Sequence, residues 1–285
     1  MSVLSFHSRV CRGYVGNSAM VPAMQALGRD VTAIDTVVLS NHPGHRTVTG
    51  RRLPAEEVRA MADAVLALPG APAFRAVMTG YMAGLDTARA ALKTVTAMKA
   101  EGRGPLYICD PILGDRDEGI YVDDALVPFF RREALPRADL ALPNAFELEQ
   151  LTGDKVVDVG TAVAAAHALR TRGTGAVVVT SVPDHPDPHM GGLLIGTLAV
   201  DDEGEWLIEA PKLNRRAKGA GDVFAGLLIG HLLSGMSLRD AAARATASVH
   251  GLLDAADEDD LDLPVIRRRE LLTNPEKRFA PQAVR

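Results

Sequence analysis

Short runs of β-branched and apolar residues alternate along the chain with longer, Ala-rich stretches of helical period. The runs at 3–6, 35–39, 74–79, 106–110, 140–142 and 176–180 predict strands. The stretches 18–27, 55–68, 87–100, 123–132, 145–151, 161–172, 222–233 and 238–253 predict helices. Strand and helix in alternation is the rhythm of βαβ units around a mostly parallel sheet. Two later runs, 192–200 and 205–210, are joined by Asp201-Asp202-Glu203-Gly204, a turn-rich link suited to an antiparallel hairpin at one edge. Gly28 and Gly173 stand just past the first and sixth helices, where a left-handed residue ends a helix most cheaply.

Composition narrows the class. Of 285 residues 47% are hydrophobic and 24% charged, enough apolar material for a core and too much for a disordered chain. Against 31 Lys+Arg stand 36 Asp+Glu, a net charge of −5, so there is no electrostatic reason to expect nucleic acid or an anionic membrane as partner. No apolar run reaches the roughly 18 residues of a membrane span, and Met1 to His7 lacks the basic start of a signal peptide. Two cysteines, Cys11 and Cys109, make neither a disulfide framework nor a metal pattern, which fits a reducing cytoplasm. With no internal repeat or long linker, residues 1–285 read as one α/β domain.

The irregular stretches 9–17, 42–52, 114–120, 183–191 and 212–218 mostly follow strands, where ligands sit in a doubly wound sheet. The loop at 183–189 holds two His and two Asp, but its three prolines favour a solvated loop over a metal site. Gly219-Ala220-Gly221-Asp222 before the buried run 223–230 is the sharpest feature. Glycines there allow backbone N–H groups to converge at a helix start, an anion hole, and Asp222 supplies a carboxylate beside it. That pairing suits a base acting on a hydroxyl during phosphoryl transfer, although Asp is also an ordinary helix cap.

Neither a P-loop nor a dinucleotide G-x-G-x-x-G is present. Asn144 and Glu147, three apart at a helix start, can address one hydrated Mg2+, and in isolation a capping box explains them as well. Asp110 ends another strand within Cys109-Asp110-Pro111-Ile112-Leu113-Gly114-Asp115. Gly16-Asn17-Ser18 and Ser40-Asn41-His42 offer polar side chains for a small polar ring, and Thr79-Gly80-Tyr81 offers an aromatic in a chain with only 4% of them.

In this order, these motifs resemble the pyridoxal kinases of the ribokinase-like superfamily, from about residue 4 to about residue 255. The Gly219–Asp222 and Asn144–Glu147 elements are shared across that superfamily, whereas Ser8, Gly16-Asn17-Ser18, Ser40-Asn41-His42 and Thr79-Gly80-Tyr81 resemble the pyridoxal branch. The resemblance implies a three-layer α/β/α sandwich and ATP-dependent phosphorylation of the 5′-hydroxymethyl of pyridoxal. It implies Asp222 as catalytic base and the N–H groups of Gly219, Ala220 and Gly221 around the transferring phosphoryl. Asp110, Asn144 and Glu147 match positions that organise Mg2+, held through water by Asp110 and Glu147, and the triphosphate; Tyr121 matches one near the phosphates, and Thr180-Ser181 a nucleotide-contacting strand end. Ser8, His42 and Tyr81 match the vitamin pocket, and a monovalent cation such as K+ and a homodimer come with the family.

Two departures stand out. Pro43 follows Ser40-Asn41-His42 where the family usually has Thr, removing a hydroxyl and a backbone donor from the pocket edge. The stretch Arg215-Arg216-Ala217-Lys218 is unusually basic, and its Lys218 can meet ATP phosphates as a point charge or be solvated.

Overall fold

In a computed structural model that describes residues 2–70, 73–100, 104–186 and 191–284, the alternating runs pair into a ten-stranded sheet. The chain runs β1 (Ser2–Val10), α1 (Asn17–Ala26), β2 (Asp30–Leu39), β3 (Gly50–Arg52), α2 (Ala55–Leu66), β4 (Phe74–Thr79), α3 (Leu85–Ala100) and β5 (Leu106–Cys109). It continues with a small hairpin, β6 (Gly114–Asp115) and β7 (Gly119–Ile120), then α4 (Leu126–Phe129), β8 (Leu140–Ala141), α5 (Ala145–Thr152) and α6 (Val159–Thr171). β9 (Ala176–Pro186), β10 (Leu193–Asp201) and β11 (Gly204–Pro211) precede the helix pair α7 (Ala220–Leu232) and α8 (Leu238–Asp254), and β12 (Gln282–Ala283) adds the last strand.

Across the sheet the order is β12-β11-β10-β9-β8-β5-β4-β1-β2-β3. From β2 to β9 the pairs are parallel, and both edges are antiparallel, with β3 on one side and β10, β11 and β12 on the other. β1 lies between β4 and β2, so successive connections leave it in opposite directions and open a crevice at its carboxyl end.

Side-chain parity divides the core. Leu4 and Phe6 of β1 join α2 to α6 on one face, while Val3 joins α1, α7 and α8 on the other. Each fully buried Leu or Phe of this kind contributes about 1.5–3 kcal/mol. Among the described residues no helix is long and apolar enough to cross a membrane.

Several local expectations change. β1 and β2 run well beyond their apolar centres, because His7, Ser8 and Arg9 at the end of β1 and Asp30 and Thr32 at the start of β2 keep the two strands paired despite being polar. The single helix expected over 123–132 is broken: Asp123 accepts the N–H of Ala125 through its side chain, α4 spans one turn, and a wide turn at Phe130–Ala134 follows. The stretch expected to be irregular at 183–191 begins as the end of β9, and residues 187–190 of it lie outside the described residues. His185 there pairs with Glu209 at 2.7 Å, so its imidazole is taken up by β11. The chain beyond 263 folds back on its own core: Leu271 and Leu272 are buried, and β12 pairs with β11.

Asn17 also changes meaning. It is buried at the start of α1, where it accepts the Ser5 hydroxyl at 2.7 Å and donates to Asp35 at 2.8 Å, stitching helix to β1 and β2. Ser18 closes on both backbone groups of Val10. Neither side chain is free for a ligand ring. Asn17→Ala is expected to destabilise the fold by about 2–3 kcal/mol, since it removes two bonds and strands a buried hydroxyl. A urea-midpoint shift worth less than about 0.5 kcal/mol, well below one net hydrogen bond, would contradict this.

Candidate active site

The parallel strands deliver their carboxyl ends to one rim. There a hollow of about 180 Å³ is walled by Asp110, Ile112, Tyr121, Leu142, Asn144, Glu147, Thr180, Gly219, Gly221, Asp222, Phe224 and Ala225. Eight of the residues read from the sequence therefore meet: Asp110, Tyr121, Asn144, Glu147, Thr180, Gly219, Gly221 and Asp222. A second hollow of about 330 Å³ shares Asn144, Thr180, Gly221 and Phe224, and extends past Ser181, Gly196, Thr197, Leu213, Ala220 and His250 toward α8. An acidic chamber thus joins a larger, more apolar trough.

α7 begins where the glycines let it. Gly219 is its N-cap, with φ +99°, and a Cβ there would lie 1.8 Å from the Tyr14 carbonyl oxygen, so no other residue fits. Asp222 is the third residue of the helix, among first-turn amides that have no intrahelical acceptor. Both helix dipole and amides favour negative charge at that point. Its side chain is 13% exposed, and its Oδ1 lies 3.0 Å from Nε2 of His7 on β1.

Asn144 and Glu147 do form the capping box: Asn144 Oδ1 accepts the Glu147 amide and Glu147 Oε2 accepts the Asn144 amide, both at 2.8 Å. They do more than cap. Glu147 Oε1 also takes the Leu113 amide at 3.0 Å, and Asn144 Nδ2 donates to the Gly114 carbonyl, so the β6–β7 hairpin is fastened to the start of α5. Burial pushes the Glu147 carboxyl up, and the amides of Asn144, Leu113 and Gly114 pull against that. Asp110, also buried, is pushed well up by burial and then by the charges of Glu147 and Asp222. No Lys or Arg stands among the residues of this wall. Crowded carboxylates without a basic partner fit a cation, with Asp110 the side chain open to it and Glu147 within reach through water.

At Thr180 the strand does not end. Thr180 bridges Asn144, Ser181 adopts φ +53°, and β9 then continues with shifted pairing to β10. This kink, worth about 1–2 kcal/mol of strain in a non-glycine residue, turns the 180–181 backbone toward the trough.

The other residues read from the sequence lie outside both hollows. Tyr81 is half-buried past the end of β4, where its carbonyl accepts the Thr36 hydroxyl. Ser8 sits on β1 beside His7, with its Oγ 3.3 Å from His7 Nδ1. His42 is buried, with its Nδ1 accepting the Gly44 amide and its Nε2 3.0 Å from the Leu261 carbonyl, and burial lowers its pKa. His42, His45 and Asp262 cluster closely enough to suggest a metal, yet both nitrogens of His42 are already engaged by backbone, so the trio reads as a clasp between the 42–45 loop and the chain at 261–262. Asn41 donates to the carbonyls of His42 and Thr47, and Ser40 accepts the Thr49 amide; both shape that loop from within.

Lys218 lines neither hollow. Its ammonium reaches Glu118 at 2.7 Å and Asp115 at 3.6 Å on the β6–β7 hairpin. Arg215 donates to the carbonyls of Leu253 and Ala256 at the end of α8. Arg215 and Lys218 are thus tied to protein partners, while Arg216 stays 70% exposed. His7 is the residue that sequence reasoning missed. Its signal was positional, a polar residue in register with Val3 and Ser5 on a strand face that looks toward α7.

An α/β/α scaffold with an acidic chamber at a helix N-terminus and a larger, more apolar trough beside it suits phosphoryl transfer, and the matches to known proteins make it a phosphotransferase with an alcohol group as acceptor. The phosphomethylpyrimidine kinase family model matches residues 15–260. The chain is 33% identical over 287 residues to pyridoxal kinase PdxY of Corynebacterium diphtheriae, covering 100% of each, and 35% identical over 285 residues to that of Rubrobacter xylanophilus, covering 100% of this chain and 98% of the relative. Pyridoxal kinase from Leishmania donovani in complex with ADP matches with a TM-score of 0.87 at 28% identity, covering 100% of this chain and 99% of that one. Pyridoxal kinase from Entamoeba histolytica matches with a TM-score of 0.90 at 25% identity, covering 99% of each. The chain belongs to the pyridoxal kinase family, with its ribokinase-like fold.

Proposed function

We propose that this chain, as one domain, transfers the terminal phosphoryl group of ATP to the 5′-hydroxymethyl group of pyridoxal. The observation that carries the reading is Asp222 in the first turn of α7, facing the same chamber as Asp110 and Glu147, in a member of this family. Direct transfer asks the protein for position, charge stabilisation and a base. Nucleotide lies along the trough past Thr180, Ser181 and Ala220, with its phosphates toward the chamber and Tyr121 at the chamber wall. Pyridoxal enters from the crevice beyond β1, β4 and β2, bordered by Ser8, Tyr81 and His42.

Asp222 accepts the hydroxyl proton as the new O–P bond forms and the bond from the γ-phosphorus to the β,γ-bridging oxygen breaks, releasing ADP, and the amides around Gly219, Ala220 and Gly221 receive charge on the moving phosphoryl oxygens. Asp110, and Glu147 through water, would hold Mg2+, which would supply neutralisation of the triphosphate. Lys218 acts indirectly, by holding the β6–β7 hairpin that carries Asp115 and leads to Tyr121. The same reading includes turnover in the cytoplasm, a K+ dependence and a homodimer.

A second reading has a specific support, since the matching family model is described as phosphomethylpyrimidine kinase. Release of ADP measured with pyridoxal, pyridoxine, hydroxymethylpyrimidine and ribose side by side separates them. We expect pyridoxal to lead hydroxymethylpyrimidine and ribose by at least about tenfold in kcat/KM, the low end of what one mismatched group in a pocket costs. Preference for hydroxymethylpyrimidine or ribose overturns the substrate.

A further inference from the structure

We propose that His7 is a positioning residue that fixes the carboxylate of Asp222 for proton abstraction. The proposal rests on the reading of Asp222 as the base and adds to it the group that aims it.

Strand parity places His7 on the α7 face of β1, where its side chain is 1% exposed. The backbone N–H of Ser8 donates to Nδ1 at 2.8 Å, and the Ser8 hydroxyl lies 3.3 Å from the same nitrogen. With Nδ1 taken as an acceptor, the proton of a neutral ring resides on Nε2. That nitrogen lies 3.0 Å from Asp222 Oδ1 and has no aligned hydrogen-bond partner among the described residues. The approach is short but off the N–H axis, so a change in the side-chain torsions of Asp222 would be needed to align it. Nothing else competes for this buried donor, and a buried N–H left unpaired is unfavourable.

The ring is also walled in. A Cβ at Gly80 would lie 2.3 Å from Nε2 and 2.1 Å from Cδ2, so the slot exists only because residue 80 has no side chain. Gly80 is itself pinned, its amide donating to the Phe6 carbonyl. His7 thus presents a fixed donor to one oxygen of Asp222 and leaves the other for the acceptor hydroxyl. Hydrogen bonds from a neutral donor to a carboxylate are charge-assisted, which suits them to holding a geometry. A side chain that acts only on orientation affects the chemical step and leaves substrate binding nearly unchanged.

The test is steady-state kinetics with pyridoxal and ATP on His7→Gln, His7→Asn, His7→Leu and Asp222→Asn, each with its thermal midpoint. The Gln amide reaches about as far as Nε2 and the Asn amide stops one bond short. We expect Gln to keep kcat within about threefold, and Asn and Leu to lose about 10- to 100-fold in kcat with both KM values within about twofold, the scale of a misaimed group. Equal kcat in Gln and Asn, a Leu variant near normal, or a loss confined to KM overturns the proposal. If Leu does not fold, the Gln and Asn pair still decides. Asp222→Asn separates the two layers: near-normal turnover in that variant removes the base reading and the proposal with it, whereas a large loss there with unaffected His7 variants removes the positioning role alone.

Discussion

Asp222→Asn is expected to lower kcat by about 10²–10⁴-fold, the usual worth of a positioned general base. Binding of ATP should change little. Asn keeps the size of Asp and can still sit among the first-turn amides of α7, so the helix start and the Gly219 cap survive. What it loses is an oxygen able to take a proton from the acceptor hydroxyl. The substitution removes one of the charges that bear on Asp110 and also the charge that the start of α7 favours, two effects of opposite sign, so the stability of the folded protein should change little. Rapid-quench measurement of phosphorylated product, with ATP affinity by calorimetry, distinguishes the outcomes. A variant that turns over near the normal rate would show that the hydroxyl proton leaves by another route.

Much of this site was legible in the sequence because it combines features that physics rarely assembles by accident. Glycines before a buried helix, a carboxylate in its first turn, an acidic residue just past one strand end and another in the first turn of the helix after a second strand converge once the sheet is parallel, and Asp110, Glu147 and Asp222 do share a chamber. Less legible was which polar residues serve a ligand and which serve the fold. Asn17, Ser18, Ser40 and Asn41 have the chemistry of ligand contacts, and the same chemistry bonds backbone and neighbouring strands. Asn144 and Glu147 show that the two uses are not exclusive, since a capping box also fastens the hairpin at the chamber.

Lys218 shows a related ambiguity. A cation beside a phosphate-like site suggests the phosphate, but its partners come from a hairpin about 100 residues earlier in the chain, as the 2.7 Å contact to Glu118 shows. Such a pairing depends on topology. The short strands β3, β6, β7 and β12, of two or three residues, carry no period for a sequence to display. His7 was open to inference in principle, because the alternation Val3, Ser5, His7 places an imidazole on a core face; what it faces there is set by where α7 begins.

Asp110→Asn should move stability and activity in opposite directions. Asp110 is 7% exposed in a chamber whose wall holds no Lys or Arg, and burial together with Glu147 and Asp222 raises its pKa well above the ordinary range. A carboxyl whose pKa is raised in the folded state opposes folding wherever the unfolded chain ionises it. The opposition is absent below the unfolded value near 3.8, grows as pH rises from there toward the folded pKa, and is constant above it. Replacing the carboxylate by an isosteric amide should therefore stabilise the metal-free protein at neutral pH, read as a rise in Tm, and by nothing near pH 4. The sign reverses for function. If Asp110 binds Mg2+, the ion must displace a proton from a reluctant carboxyl, so the Tm gain on adding Mg2+ should increase with pH in the unaltered protein and shrink in Asp110→Asn. Loss of the cation from the triphosphate should lower kcat/KM by about 10²-fold, several kcal/mol of charge stabilisation being withdrawn. Thermal scans from pH 4.5 to 8, with and without Mg2+, settle the matter together with turnover. A variant that is less stable than the parent at pH 8 without Mg2+, or that gains as much from Mg2+ as the parent does, shows that the acidic chamber is balanced in some other way and that Asp110 is not its cation ligand.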